Sequence, residues 1–202
     1  SRTLRPLVDT IARRAIQKSG GLVPPTPPFF QYRTPEFTTF DDIQATPWEC
    51  VRGMDQGFGY NQNSTESDHI GRDELLRSIA EIAATGGNLL INVGPRGADA
   101  TIPEAQARRL EWMAEFAPTV ATALQGTRPW VRPRCTTPEG VEVRFTAHGD
   151  RVWAICWSDG GPIPSAVTLP MLATPTTAAT AIDGTVLTLD STEHGLRIQL
   201  PA

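Results

Sequence analysis

Residues 86–95 read GGNLLINVGP. A run this short and this apolar is a strand with both faces covered, the kind found in parallel sheets with helices packed outside. Helical patterns flank it. Leu75, Leu76, Ile79, Ile82 and Ala83 form one stripe over residues 72–85, and Gly86-Gly87 stops it. Pro103 opens a further helix through about residue 124, since first-turn N–H groups lack intrahelical partners anyway. Pro118 is expected to end or kink that helix. Upstream, Leu4, Leu7, Val8, Ile11, Ala12, Ala15 and Ile16 mark a helix over residues 3–18. Leu22 and Val23 look strand-like before the prolines of VPPTPPFF forbid regular structure. Helices alternating with short apolar strands make a β/α architecture, and in (β/α) barrels the loops after the strands carry the chemistry.

The pattern changes after GTRPW (126–130). VEVRFTAHGDRVWAICW gives two alternating strands around a His-Gly-Asp turn. SAVTLP, TAATAIDGTVLTLD and GLRIQLP follow with no helical period. Residues 130–202 therefore read as a small antiparallel β domain of sandwich type. The fold class expected is α/β: a partial (β/α) TIM-like barrel over residues 1–126, followed by the β-sandwich domain over 127–202. A chain of 202 residues accommodates two such domains.

Composition excludes several functions. The net charge is −4 and the basic residues are scattered, so there is no electrostatic footprint for nucleic acid. No apolar run approaches the roughly 20 residues of a membrane helix. Cys50, Cys135 and Cys156 are an odd, widely spaced set without a C-x-x-C, which reads as buried thiols rather than a disulfide framework or zinc site. His69, His148 and His194 are far apart and near no cysteine. No metal or other cofactor is expected. GPRG (94–97) lacks the Lys-Ser/Thr of a phosphate loop, and SRTLRPLVDTIARR lacks the apolar core and cleavage site of a signal peptide.

The chemistry is concentrated in WECVRGMDQGFGYNQN (48–63) and in the preceding FFQYRTPEF (29–37). Sugar sites pair carboxylates, which move protons or attack carbon, with aromatic faces that pack on C–H groups. Glycoside hydrolysis needs two carboxyl groups about the scissile bond, one of them kept protonated by an apolar setting. Glu36 and Glu49 stand beside such aromatic residues. An ion pair or helix cap is the alternative for either.

Three segments in order, WECVRGMDQGFGYNQN, GGNLLINVGPRGADATIP and GTRPW, resemble the α-L-fucosidase family of retaining glycoside hydrolases. The resemblance extends into the β domain through GVEVRFTAHGDRVWAICW. It implies a catalytic barrel preceding a β-sandwich, and a fucosylated glycan or glycoconjugate as substrate. YRTPE is similar to the family segment bearing the general acid/base, which makes Glu36 the leading candidate. In other members the glutamate of the Trp-Glu pair has that role, which makes Glu49 the runner-up. Phe58 is similar to the ring that packs on the C6 methyl of fucose, with Trp48 and Tyr60 as further sugar contacts.

The chain departs from the family twice. The nucleophilic aspartate would lie upstream of the first helix, outside this sequence; Asp9, within that helix, is no substitute. PPTPPFF stands where the family carries an Asn-Asp-Arg-Trp stretch. The expectation is a chain completed by an N-terminal half or by a second copy, since parallel barrel strands need neighbours on both sides. A non-catalytic carbohydrate-binding or scaffold subunit is the alternative function.

Overall fold

The computed structural model describes residues 32–201, apart from 159, 173, 175 and 176. The helix expected over 3–18 and the strand expected at Leu22 and Val23 lie outside the described residues. The chain divides between Met113 and Ala114 into two compact units.

In the first unit, strand β1 (Trp48–Gly53) pairs in parallel with β2 (Gly87–Asn92), and helix α1 (Arg72–Ala84) connects them. The helix and β2 are those expected from the apolar run and its flanking stripe, while β1 falls in a segment for which no strand was expected. The register aligns Trp48 with Gly87, Cys50 with Leu89, Glu49 with Asn88 and Val51 with Leu90. Successive strand residues point to opposite faces, so the two rows separate. Trp48, Cys50 and Leu89 pack with Ile82 of α1 and with Phe40. Glu49, Val51, Asn88 and Leu90 occupy the other face. The coverage expected on both faces of this strand is not observed, because Leu90 is 43% exposed. The helix shields one side, and no described element of the unit closes over the other.

The stretch VPPTPPFF, where prolines were expected to forbid regular structure, lies outside the described residues; the segment after it is described. Residues 33–37 run parallel beside β1, through bridges Arg33↔Trp48 and Glu36↔Val51. Arg33 donates its N–H to Pro47 at 2.9 Å, and Phe37 donates to Val51 at 3.1 Å. Pro35 has no N–H but accepts from the Val51 amide at 2.9 Å. A proline removes one rung of a ladder and leaves its carbonyl available, so the segment holds to β1 despite Pro35.

Helix α2 (Glu104–Leu124) begins one residue after Pro103 and continues unbroken through Pro118. An interior proline costs about 3 kcal/mol. Burial of Val120 and Ala123 beyond it holds the last turns helical.

The second unit holds two antiparallel sheets of order β3-β4-β5 and β6-β10-β9, and a separate short β7–β8 pair. The strands of the first are β3 (Arg128–Thr136), β4 (Glu142–His148) and β5 (Arg151–Trp157). The second comprises β6 (Ala166–Leu169), β9 (Leu189–Thr192) and β10 (Gly195–Gln199); β7 is Ala179–Thr180 and β8 Val186–Leu187. Val141, Val143 and Phe145 from one sheet form a single cluster with Val167, Leu169, Leu196 and Ile198 from the other. The β4–β5 hairpin turns at Gly149-Asp150, with φ 61° at Gly149, the left-handed conformation that a two-residue hairpin turn demands. Thr146 donates its hydroxyl to the Ala123 carbonyl, satisfying one of the last acceptors of α2. The β3–β4 register breaks between Pro129 and Arg134, and Val131 there is 85% exposed.

Glu139, in the β3–β4 turn, ties this hairpin to the other sheet. Its carboxylate accepts from the Thr168 amide at 3.0 Å and the Thr168 hydroxyl at 2.7 Å, and pairs with Arg197 at 3.3 Å. Burial pushes the carboxyl up, but the hydrogen bonds from Thr168 and Thr137 outweigh it and bring the pKa down to about 2. The folded value lies below the ordinary 4.5. The stabilisation is therefore complete above about pH 4.5 and is lost as pH falls through 2. Thermal unfolding between pH 6 and 2 should show a loss of about 1–3 kcal/mol that Glu139→Gln largely abolishes. An identical acid profile for the variant would contradict this assignment.

Candidate active site

The bridges fix where the two candidate acids stand. Glu36 is aligned with Val51, and Val51 lies two residues along β1 from Glu49. Side chains at aligned or alternate positions share a face. Glu36 and Glu49 thus project from the same side of the sheet, the side that α1 does not cover. Glu36 is exposed and Glu49 half-buried. Around them the described residues leave an open face, where an apolar setting was expected.

The aromatic candidates separate. The Trp48 ring is 2% exposed, lies edge-on to Phe40 at 4.7 Å and donates its indole N–H to Thr85 at 3.3 Å. It packs in the core and supports the strand that bears Glu49. Phe58 and Tyr60 are exposed on the loop that follows β1. The ring of Phe58 meets Phe37, the residue after Glu36, at 5.3 Å with a 53° tilt. The Arg96 guanidinium lies 5.9 Å from the Tyr60 ring.

Phe37, which lies beside these candidates, was not singled out by motif reading. Its φ is 51°, a left-handed conformation that is rare for an aromatic residue and recurs at functional sites. The Arg52 guanidinium lies 5.7 Å from its ring and 3.9 Å from Glu74 of α1. Nothing in the sequence announces the backbone angle, although an aromatic residue directly after a candidate acid was a visible cue.

The loop 54–70 is anchored at both ends. Asp55, buried, accepts from the Gly57 amide at 2.9 Å and the Ser64 hydroxyl at 2.8 Å. The Arg109 side chain, also buried, donates to Ile70 O at 2.9 Å and to Glu66 at 2.6 Å, and stacks on Trp112 at 4.8 Å. The hydrogen bond from Arg109 lowers the Glu66 pKa. A Cβ on Gly53 would stand 1.7 Å from the Gly57 carbonyl oxygen. Gly53→Ala is therefore expected to displace the loop and to destabilise by at least the 1–3 kcal/mol usual for overpacking, about 2 kcal/mol or more by urea titration.

His69 bonds through Nδ1 to Thr65 O at 2.8 Å, and His148 and His194 are exposed. Cys50 is buried, and burial raises the pKa of all three thiols, that of Cys156 to about 11. Such thiols are poor nucleophiles.

Comparison with known proteins is consistent in direction. A family model described as alpha-L-fucosidase matches residues 14–120, just over half of the chain. The alpha-L-fucosidase of Branchiostoma floridae is 29% identical over 143 residues, covering 69% of this chain and 30% of its own length. The plasma alpha-L-fucosidase of Homo sapiens is 32% identical over 84 residues, 41% of this chain and 18% of the relative. Among solved structures, Thermotoga maritima alpha-fucosidase in complex with a mechanism-based inhibitor superposes with a TM-score of 0.76 at 29% identity, over 90% of this chain and 40% of that one. The same organism's enzyme in complex with fucose gives 0.75 at 28% identity, over 86% and 39%. The chain spans less than half the length of these relatives.

Proposed function

Because the chain belongs to the α-L-fucosidase family, we propose that it supplies the acid/base half of a retaining glycosidase acting on terminal α-L-fucosyl linkages. An aspartate outside this chain attacks C1 of the sugar, and Glu36 protonates the departing glycosidic oxygen. The resulting carboxylate then takes a proton from the water that releases fucose. Glu49 is the alternative acid/base. Phe58 and Tyr60 supply the apolar contacts, and Trp48 contributes from beneath by fixing β1. The observation that carries this reading is the register: both glutamates rise from one open sheet face of the strand that runs on into the aromatic loop, and loops after strands are where (β/α) enzymes build their sites.

The first unit is then part of a (β/α) barrel and the second a β-sandwich, with the functional boundary between residues 126 and 127, directly before β3. The uncovered row of Val51 and Leu90 is the interior that further barrel strands would fill. These come from an N-terminal half or a second copy. The purified 202-residue chain is expected to show no turnover of an aryl α-L-fucoside, and to gain it when a polypeptide carrying the upstream half of a family barrel is added. Turnover by the chain alone would refute the division of labour. A carbohydrate-binding subunit without catalysis is the second reading, favoured by PPTPPFF standing where the family carries an Asn-Asp-Arg-Trp stretch. Fucose binding that never leads to turnover, even with the upstream half present, would select it.

A further inference from the structure

The loop that follows β2, residues 93–103, is closed by bonds that no step of the proposed hydrolysis uses. Arg96 donates its N–H to Thr101 O at 2.8 Å, and Ala100 donates to Arg96 O at 2.8 Å. Ala100 holds φ 57°, a left-handed conformation uncommon for a residue with a Cβ. The Thr101 hydroxyl accepts from Arg96 Nη1 at 3.0 Å and donates to Asp99 at 2.8 Å. Asp99 also accepts from the Thr101 N–H at 3.0 Å. The loop thus aims its own guanidinium. It is also docked on the loop after β1. Asn92 donates its side-chain amide to Phe58 O, and Gly94 donates its N–H to the buried Gln106 side chain at 2.8 Å. A Cβ on Gly94 would stand 2.6 Å from the Tyr60 nitrogen. Strands β1 and β2 run parallel, so both loops leave the sheet at one end. There the Arg96 guanidinium lies 5.9 Å from the Tyr60 ring, which is 42% exposed. Residues 54–65 and 93–103 hold no other Lys or Arg. Among the described residues Arg96 forms no ion pair. Thr101 takes one N–H of the fork and leaves donors for a ligand.

We propose that Arg96 is a specificity-determining residue that binds a carboxylate carried on the leaving part of the glycoconjugate. The inference rests on the hydrolase reading above and adds the class of leaving group, an acidic sugar or other carboxylate-bearing group. Fucose is itself neutral, so a negative charge met at this rim belongs to whatever fucose is attached to. A guanidinium and a carboxylate match in plane and form two parallel hydrogen bonds. Packing against Tyr60 and the bond to Thr101 restrict the Arg96 side chain beforehand, so less freedom is lost when those bonds form. Glu36 and Glu49 repel an acidic ligand from the sheet face, and Arg96 offers the opposite charge beyond the strand ends. A tie that only closed the loop through Thr101 would need one donor and no charge.

The test has two arms, one of which needs no turnover. In the first, the full chain is titrated at low salt with benzoate and, separately, with its neutral counterpart benzamide. The Arg96 Nε–H and Tyr60 amide signals are followed by NMR. Benzoate should shift both and benzamide neither, and Arg96→Met should abolish the shift at Tyr60. In the second, the assembly with the upstream half of a family barrel cleaves 4-carboxyphenyl α-L-fucoside and the methyl ester of that acid. The ratio of kcat/KM, acid over ester, should fall about 3- to 10-fold in Arg96→Met. High salt should bring the wild-type ratio toward that of the variant. Arg96→Lys keeps the charge without the fork. It should retain part of the ratio, and it decides the matter if Arg96→Met does not fold. Equal losses for acid and ester would mean that Arg96 only holds the loop, and would overturn the inference. Absence of the benzoate shift in the wild type overturns it as well, while turnover of the ester leaves the hydrolase reading standing. A benzoate shift without turnover of the ester brings down the hydrolase reading, and the leaving-group role with it.

Discussion

Replacing Glu36 by alanine should slow cleavage of a fucoside with a poor leaving group by about 10²–10⁴-fold, the usual contribution of a positioned general acid. The measurement belongs in the assembly that joins this chain to its nucleophile-bearing half. An alkyl fucoside should suffer the full loss, since its alkoxide cannot depart without a proton. A nitrophenyl fucoside should lose far less in the first step, because its phenolate leaves unaided. This gradient separates an acid that donates to the leaving group from a carboxylate that merely orders the loop. Equal losses across leaving groups would transfer the role to Glu49. The register makes that exchange chemically reasonable, since both side chains rise from the same face. Glu49→Ala should then show the gradient instead.

Trp48→Ala should cost about 3–5 kcal/mol of stability, the range for emptying a buried aromatic site. The ring is enclosed by Phe40 and Ile82, and its N–H is satisfied by Thr85. Gly87 on β2 lies so near that a Cβ there would stand 2.4 Å from the ring. Collapse around the vacancy would have to pull β2 and α1 together, which the parallel ladder resists. Urea unfolding of the full chain, followed by the amide signals of residues 72–92, would report the loss. A cost below about 1 kcal/mol would mean that the ring is not a core element. Trp48→Phe keeps most of the volume and should cost less than half as much.

Much of the fold was legible because it rests on periodicity. The stripe from Leu75 to Ala83 located α1 to within a residue of Arg72–Ala84. Alternation around His148-Gly149-Asp150 located the β4–β5 hairpin. Coverage was less legible, since apolar residues in β2 report that a surface wants to be buried, not that a neighbour is present. Leu90 is the example. The pairing of residues 33–37 with β1 was hidden by Pro35, because propensity counts a missing donor but not a retained acceptor. In the candidate site, the two glutamates and Phe58 were visible as residue types in a motif. Phe37, Asn92 and Gln106 were not, since their parts depend on a backbone angle and on bonds spanning between 12 and 34 residues.

The broken register of β3 bears on how the molecule behaves in concentrated solution. Pro129 and Pro133 offer no amide hydrogens, Val131 bulges outward, and Arg128, Arg132 and Arg134 place like charges along the strand. A stray polypeptide meeting this border finds too few donors in line and too much positive charge to add itself as a further strand. Edge-to-edge polymerisation through the β3 border is thereby disfavoured even when the protein is crowded.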